Sequence, residues 1–283
     1  MNSKIVFLLN KSLEFLRNSN LDSAELYLKK ALKLQSNNPH VLRLLGVVFA
    51  KRKQYSEAIK FFKESLQVFP RNALTLSNIG NIFYETKDYE SALGAYDKSI
   101  KIEPNYYEAW SNKGNVLQEL RRYNEALSCY DKALALRPDY AEAWSNKGYS
   151  LLELKRYVEA IAYFEKALSL QSEIDWVYGE VLHTKMKVCS LNFFDEHVKE
   201  ISRCVSSGQK IIQPFALLSL IDDPILHQKA SEIYVNELYP SKTSKLSLIR
   251  YPKRQKIRIG YFSADFNENP TAYLAAELFE LHD

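Results

Sequence analysis

The sequence lacks the features that define several common classes of protein. No run of about 18 apolar residues occurs, so no membrane-spanning helix is predicted. The N-terminal apolar run, in MNSKIVFLLNKSLEF, is too short for the hydrophobic region of a signal peptide. Only three cysteines occur in 283 residues, far apart and without CxxC spacing. We therefore expect no metal site, and we predict that the cysteines are small buried residues in a reducing compartment.

A charge of one sign and a phosphate-binding loop are also missing. The net charge is only +4 and both signs are spread along the chain, so no nucleic-acid partner is predicted. No glycine-rich loop of the dinucleotide-binding kind occurs. With 46% hydrophobic and 25% charged residues, the composition is ordinary for a soluble protein, and we expect a cytoplasmic location.

A repeat of 34 residues dominates the chain. Five blocks align without insertion or deletion within residues 1–174: 5–38, 39–72, 73–106, 107–140 and 141–174. Position 8 of each block is small, position 20 is always alanine and position 24 is always large. Small residues at 8 and 20 let two antiparallel helices approach closely, and large side chains fill the gaps. The prolines at position 32, Pro70, Pro104 and Pro138, are predicted to close the second helix.

This pattern resembles the tetratricopeptide repeat. The resemblance implies that stacked helix pairs form a superhelix with a concave and a convex surface, which suits an extended protein or peptide partner. The fold is therefore predicted to be mostly α-helical.

Position 6 is the candidate site within the repeat, and it carries Asn10, Leu44, Asn78, Asn112 and Asn146. Asparagine is a mediocre helix former, so its recurrence needs a reason beyond helix propensity. On the groove side of the first helix, an amide can donate to and accept from the backbone of an extended peptide. The alternative is a set of solvated surface asparagines copied by repeat duplication, and spacing alone does not decide between the two.

The repeat phase fails after residue 174, because Leu182 falls where position 8 should be small. Residues 175–239 are predicted to be a helical connector, with helices at 176–190, 194–207, a short one after Pro214, and 224–238 capped by Asp223. A basic linker is predicted at 240–255. Residues 256–283 are predicted to form one βα unit, with a strand at 257–262 and a helix that starts at Asn269 and Pro270.

The phrases VLHTKMKVC, PFALLSLIDDP, IRIGYFSADF and PTAYLAAELFELHD resemble bacterial O-linked N-acetylglucosamine transferases and SPINDLY proteins. The resemblance implies a superhelix that presents protein substrates to a two-lobed, Rossmann-like glycosyltransferase region. That region moves N-acetylglucosamine from UDP-N-acetylglucosamine to Ser or Thr, or fucose from GDP-fucose in plant SPINDLY relatives, so the sugar donor stays open. It also implies that the asparagines at position 6 form a ladder along a bound peptide backbone.

The sequence departs from that family in two ways, and both argue against glycosyltransferase activity in this chain alone. Asn269 occupies the position of a family histidine, and an amide cannot take a proton, so no catalytic residue is assigned. Residues 256–283 match only the start of the catalytic region, so this chain alone is expected to be inactive and to hold no cofactor. Whether a catalytic part is supplied in trans as a partner stays open. The competing hypothesis is a non-catalytic interaction scaffold built from the same repeats.

Overall fold

The computed structural model describes residues 3–171, 174–190, 192 and 194–238. All of these residues belong to one compact unit, Met1–Tyr239. The described part of the chain contains α-helices and no β-strand. The predicted linker, the predicted strand at 257–262 and Asn269 lie outside the described residues.

Each 34-residue block forms two helices, A and B, whose limits recur at the same repeat positions, except that the first A helix begins two residues before its block. The A helices are α1 Ser3–Arg17, α3 Pro39–Lys51, α5 Ala73–Glu85, α7 Tyr107–Glu119 and α9 Ala141–Glu153. The B helices are α2 Leu21–Leu34, α4 Tyr55–Val68, α6 Tyr89–Ile102, α8 Tyr123–Leu136 and α10 Tyr157–Leu170. Every A helix ends at position 13, and every B helix runs from position 17 to position 30.

One backbone motif forms the turn between A and B in all five repeats. The N–H at position 16 donates to the carbonyl at position 11, and the N–H at position 15 donates to the carbonyl at position 12. This pair of bonds is the Schellman motif, which ends a helix by placing one residue in the left-handed region. That residue is at position 15, where φ is 55° to 61°, and it is Ser19, Lys53, Lys87, Arg121 or Lys155.

The close approach of A and B depends on positions 8 and 24. A Cβ atom added to the glycine at position 8 would lie 2.4 to 2.7 Å from a ring carbon of the aromatic residue at position 24. These rings are almost fully buried, and they belong to Phe62, Tyr96, Tyr130 and Phe164. The first repeat combines the larger Ser12 with the smaller Leu28, and both are fully buried.

Proline at position 32 follows the end of helix B, as expected, but it is not required for that end. Helix B ends two residues earlier, at position 30, in every repeat. The first repeat has Ser36 instead of proline, yet its helix also ends at Leu34. Proline at this position therefore prevents the helix from continuing in three repeats, while other features of the repeat end it at the same position in the first.

The connector is helical, with α11 Val177–Lys187, α12 Phe194–Ser206, α13 Pro214–Leu218 and α14 Pro224–Leu238. The predicted cap of α14 is confirmed, since Asp223 Oδ1 accepts from the N–H groups of Ile225 and Leu226 at 2.9 and 3.2 Å. Helix α11 packs against α10, and it covers the end of the last repeat.

Of the three cysteines, Cys129 and Cys204 are buried as predicted, whereas Cys189 is exposed at the turn after α11. Burial raises the pKa of the Cys129 thiol to about 11, which keeps it protonated.

Candidate peptide-binding groove

The A helices line the inner face of the superhelix. Helix α3 contacts α5, α5 contacts α7, and α7 contacts α9. Between the described B helices no comparable contact occurs, so successive A helices lie closer together than successive B helices. A stack with this asymmetry curves toward its A helices, which places their exposed side chains in the concave groove.

Two asparagine pairs bridge neighbouring repeats in this groove. The Nδ2 atom of Asn112 donates to Oδ1 of Asn81 at 3.1 Å, and Nδ2 of Asn146 donates to Oδ1 of Asn115 at 2.9 Å. Each pair joins position 6 of one repeat to position 9 of the preceding repeat. An amide group has two N–H donors and an oxygen, so Asn112 and Asn146 each keep one donor and one acceptor for a ligand.

A buried tyrosine fixes the second member of each pair. The hydroxyl groups of Tyr96 and Tyr130, at position 24, donate to Oδ1 of Asn81 and Asn115 at 2.6 and 2.8 Å. Burial raises the pKa of both tyrosines, so they remain neutral donors at physiological pH. We call each group of two asparagines and one tyrosine a rung.

Sequence reasoning missed the members of the rungs at positions 9 and 24. A signal for them is present, because asparagine at position 9 occurs together with tyrosine at position 24 in repeats 3 and 4. Where position 24 is Phe62 or Phe164, position 9 is Val47 or Tyr149. A hydroxyl donor and its amide acceptor therefore appear or disappear together.

The other two predicted site residues, Asn10 and Asn78, are not held by an asparagine of a preceding repeat. Asn10 is exposed on α1, and no repeat precedes it in the described residues. Asn78 faces Val47 across the repeat boundary instead of an asparagine, and its Nδ2 atom is buried without a hydrogen-bond partner. Position 6 of the second repeat is Leu44, which is buried. The ladder of asparagines is thus interrupted between repeats 2 and 3.

An open pocket of about 350 Å³ lies at this interruption. Its apolar wall includes Val47, Ala50 and Ile82. Its polar side includes Asn78, Glu85, Lys51 and Lys53. A second pocket of about 230 Å³ follows between repeats 3 and 4, and it is lined by Asn81, Tyr84, Glu85, Tyr96, Asn112 and Asn115.

The charge of position 13, the last residue of each A helix, changes along the groove. It is Arg17 and Lys51 in the first two repeats. In repeats 3 to 5 it is Glu85, Glu119 and Glu153, all exposed. The hydroxyl groups of Tyr89 and Tyr123 donate to the last two glutamates at 3.3 and 3.2 Å. Burial, with Glu119 as a further cause, raises the pKa of the groove residue Tyr84 to about 12.

No group of histidine, cysteine, aspartate and glutamate that could hold a metal ion occurs in the described residues. Among the helices of that same part of the chain, none is long and apolar enough to cross a membrane. Asn269 lies outside the described residues.

Comparison with known families agrees with the repeat geometry. The tetratricopeptide-repeat family matches residues 9–73 and 111–174, and a second model of the same repeat matches residues 80–121. Together the matches span more than half of the chain. The chain is a tetratricopeptide-repeat protein.

Several solved structures share this fold. PilF of Pseudomonas aeruginosa is 18% identical, with a TM-score of 0.60, and the match covers 84% of this chain and 93% of PilF. The type IV pilus biogenesis factor PilW is 18% identical, with a TM-score of 0.62 over 72% of this chain and 94% of PilW. A thermophilic tetratricopeptide-repeat protein of Thermus thermophilus is 21% identical, with a TM-score of 0.54 over 60% of this chain and 92% of that protein. A search of curated protein sequences finds no match.

Proposed function

We propose that the groove binds an extended polypeptide segment through the side-chain amides at position 6. The observation that carries this proposal is the pair of rungs, in which Asn112 and Asn146 are held by one hydrogen bond and keep a free donor and acceptor. An amide that is already oriented loses little side-chain entropy on binding. A donor and an acceptor on each amide match the alternating C=O and N–H groups of an extended backbone.

We further propose that the bound segment is a protein substrate of a sugar-transfer reaction, as in the O-linked N-acetylglucosamine transferase and SPINDLY lineage. The four sequence phrases between residues 181 and 283 support this step. The proposed donor is a nucleotide sugar, UDP-N-acetylglucosamine or GDP-fucose, held by catalytic lobes rather than by the groove. A non-catalytic scaffold is the second candidate, since it needs the same groove and the same repeats.

The binding proposal is tested by replacing Asn78, Asn112 and Asn146 with alanine in the full chain. The probe is a fluorescein-labelled mixture of random dodecapeptides without cysteine or proline, which averages the side chains and keeps the backbone common. Each lost amide contact is worth about 0.5–1.5 kcal/mol, so the affinity measured by anisotropy should fall about tenfold or more.

The matched control replaces three asparagines that are exposed and lie outside the groove positions: Asn18, Asn105 and Asn124. Their alanine variant should bind the mixture like the native chain. Equal affinity of the native chain and the groove variant would favour solvated surface asparagines and would contradict the proposal.

The lineage proposal is tested on the DNA that follows the codon for Asp283. We expect a reading frame, in the same gene or its neighbour, that encodes the rest of a two-lobed transferase. Its absence from the genome would favour the scaffold.

A further inference from the structure

We propose that the pocket between repeats 2 and 3 holds an apolar side chain of the bound segment, and that this segment carries lysine or arginine toward repeats 3 to 5. The inference rests on the proposed function and specifies the class of peptide that the groove selects. It combines three observations: an apolar cavity, an unpaired amide at its edge, and a change in the sign of charge beside it.

The cavity lies where the ladder of asparagines is interrupted. Its apolar wall of Val47, Ala50 and Ile82 and its volume of about 350 Å³ suit a leucine or phenylalanine side chain. Lys51 and Lys53 also line the cavity, so basic residues of the ligand belong on its other side, toward Glu85 and repeats 3 to 5. Valine at position 9 is also the reason that no rung forms here, so the same residue removes a backbone-binding amide and creates an apolar surface. We infer that this repeat contributes a side-chain pocket where repeats 3 to 5 contribute rungs.

The unpaired amide indicates how the main chain of the ligand passes the pocket. The Nδ2 atom of Asn78 is buried and has no acceptor, and Asn78 lines the same cavity. A buried donor without a partner costs free energy, so a ligand acceptor that Asn78 reaches by turning its amide toward the cavity gains affinity there. The backbone carbonyl of the residue whose side chain fills the pocket would be such an acceptor.

The charges beside the rungs indicate which residues of the ligand should follow the apolar side chain along the groove. Glu85, Glu119 and Glu153 end their A helices, where the helix dipole disfavours a negative charge. None of the three forms an ion pair with any described residue, including the basic residues two positions further on. Three carboxylates without a cationic partner, at electrostatically unfavourable positions beside the rungs, complement a basic ligand.

The experiment compares three fluorescein-labelled dodecapeptides on the full chain. The first consists of serine and lysine with one central leucine, the second has serine in place of leucine, and the third has glutamate in place of every lysine. The leucine peptide should bind about tenfold or more tightly than the serine peptide, because the pocket removes its side chain from water. The glutamate peptide should bind more weakly than both.

Two variants locate the effect. Val47→Asn supplies the missing asparagine at position 9, so it should remove the preference for leucine while the serine peptide still binds. Ala50→Leu should fill the pocket and have the same effect, which guards against a folding defect in one variant. Val158→Asn is the matched control, since Val158 is 71% exposed on α10, and it should keep the preference.

Each result decides a distinct point. Equal binding of the leucine and serine peptides by the native chain would overturn the apolar pocket and leave the proposed function intact. A leucine preference that survives in both pocket variants would overturn its location, and tight binding of the glutamate peptide would overturn the basic flank. If none of the three peptides binds, the proposed function fails as well.

Discussion

At the residue scale, an asparagine at position 6 depends on the residue at position 9 of the repeat before it. Asn112 and Asn146 follow Asn81 and Asn115 and are held by them, whereas Asn78 follows Val47 and has a buried, unpaired Nδ2 atom. Identical residues at identical repeat positions therefore differ in their capacity to bind. The physical reason is that the partner lies 31 residues away, in the neighbouring repeat.

The left-handed residue at position 15 leads to a prediction about a single residue. Arg121 has φ of 58° and is exposed in the turn between α7 and α8. Arg121→Val should destabilise the protein by roughly 1–2 kcal/mol, because a β-branched side chain fits the left-handed region poorly. Arg121→Gly should be neutral or slightly stabilising, since glycine adopts this conformation without steric cost.

Urea unfolding followed by circular dichroism measures both changes. The glycine variant is the control for loss of the arginine charge and contacts. If the valine and glycine variants lose the same stability, the side chain of Arg121 matters rather than its backbone conformation, and the strain argument is wrong.

At the scale of the helix pair, two glycines give opposite predictions for the same substitution. Gly114→Ala places a Cβ atom 2.6 Å from the ring of Tyr130 and should destabilise the protein by about 1–3 kcal/mol. Gly94→Ala has no atom within 4 Å of the new Cβ and lies inside α6, so it should stabilise the protein by about 0.5–1 kcal/mol.

The two free energies of unfolding should thus change with opposite sign in chemical denaturation. Two changes of equal sign and size would mean that helix propensity alone controls the effect. The close packing of positions 8 and 24 would then not be what positions helix A on helix B.

The helices of the repeats could be predicted from sequence because small and large residues recur every 34 positions. The relation of α11 to the repeats could not be predicted in the same way. Its residues fall at positions 3 to 13 of a sixth block, but Leu182 stands at position 8 and is buried in the connector. Gly179 instead provides the close approach, since an added Cβ would lie 2.4 Å from Ile212. The close approach in the connector occurs at position 5 of this block instead of position 8, so the repeat pattern does not predict it.

The candidate groove was only partly predictable for a similar reason. Position 6 could be identified because asparagine is unusual in a helix interior. Asn81 and Asn115 carry the same residue type at position 9, but their role depends on hydrogen bonds between repeats and to a buried tyrosine. Periodicity within one repeat does not contain that information.

At the scale of the whole molecule, stability is expected to be roughly a sum over repeats and their interfaces. A polypeptide of residues 1–190 should therefore fold and give a helical circular dichroism spectrum. It should be less stable than residues 1–238 by about 2 kcal/mol or more, because removal of α12 to α14 exposes Leu182, now 3% exposed, and its neighbours.

Thermal and urea unfolding of the two polypeptides measures this difference. An absence of helical signal from residues 1–190 would contradict a fold built from independently stacked repeats. Equal stability of the two polypeptides would show that the connector helices contribute nothing to the last repeat.

The central claim is that the groove recognises the backbone of an extended segment through the amides at position 6. The most direct measurement compares the leucine-centred dodecapeptide with a version that is N-methylated at alternate residues, which removes N–H donors and keeps every side chain. The native chain should bind the methylated peptide about tenfold or more weakly, whereas the variant with alanine at Asn78, Asn112 and Asn146 should bind both peptides equally. Equal affinity of the native chain for the two peptides would contradict the account.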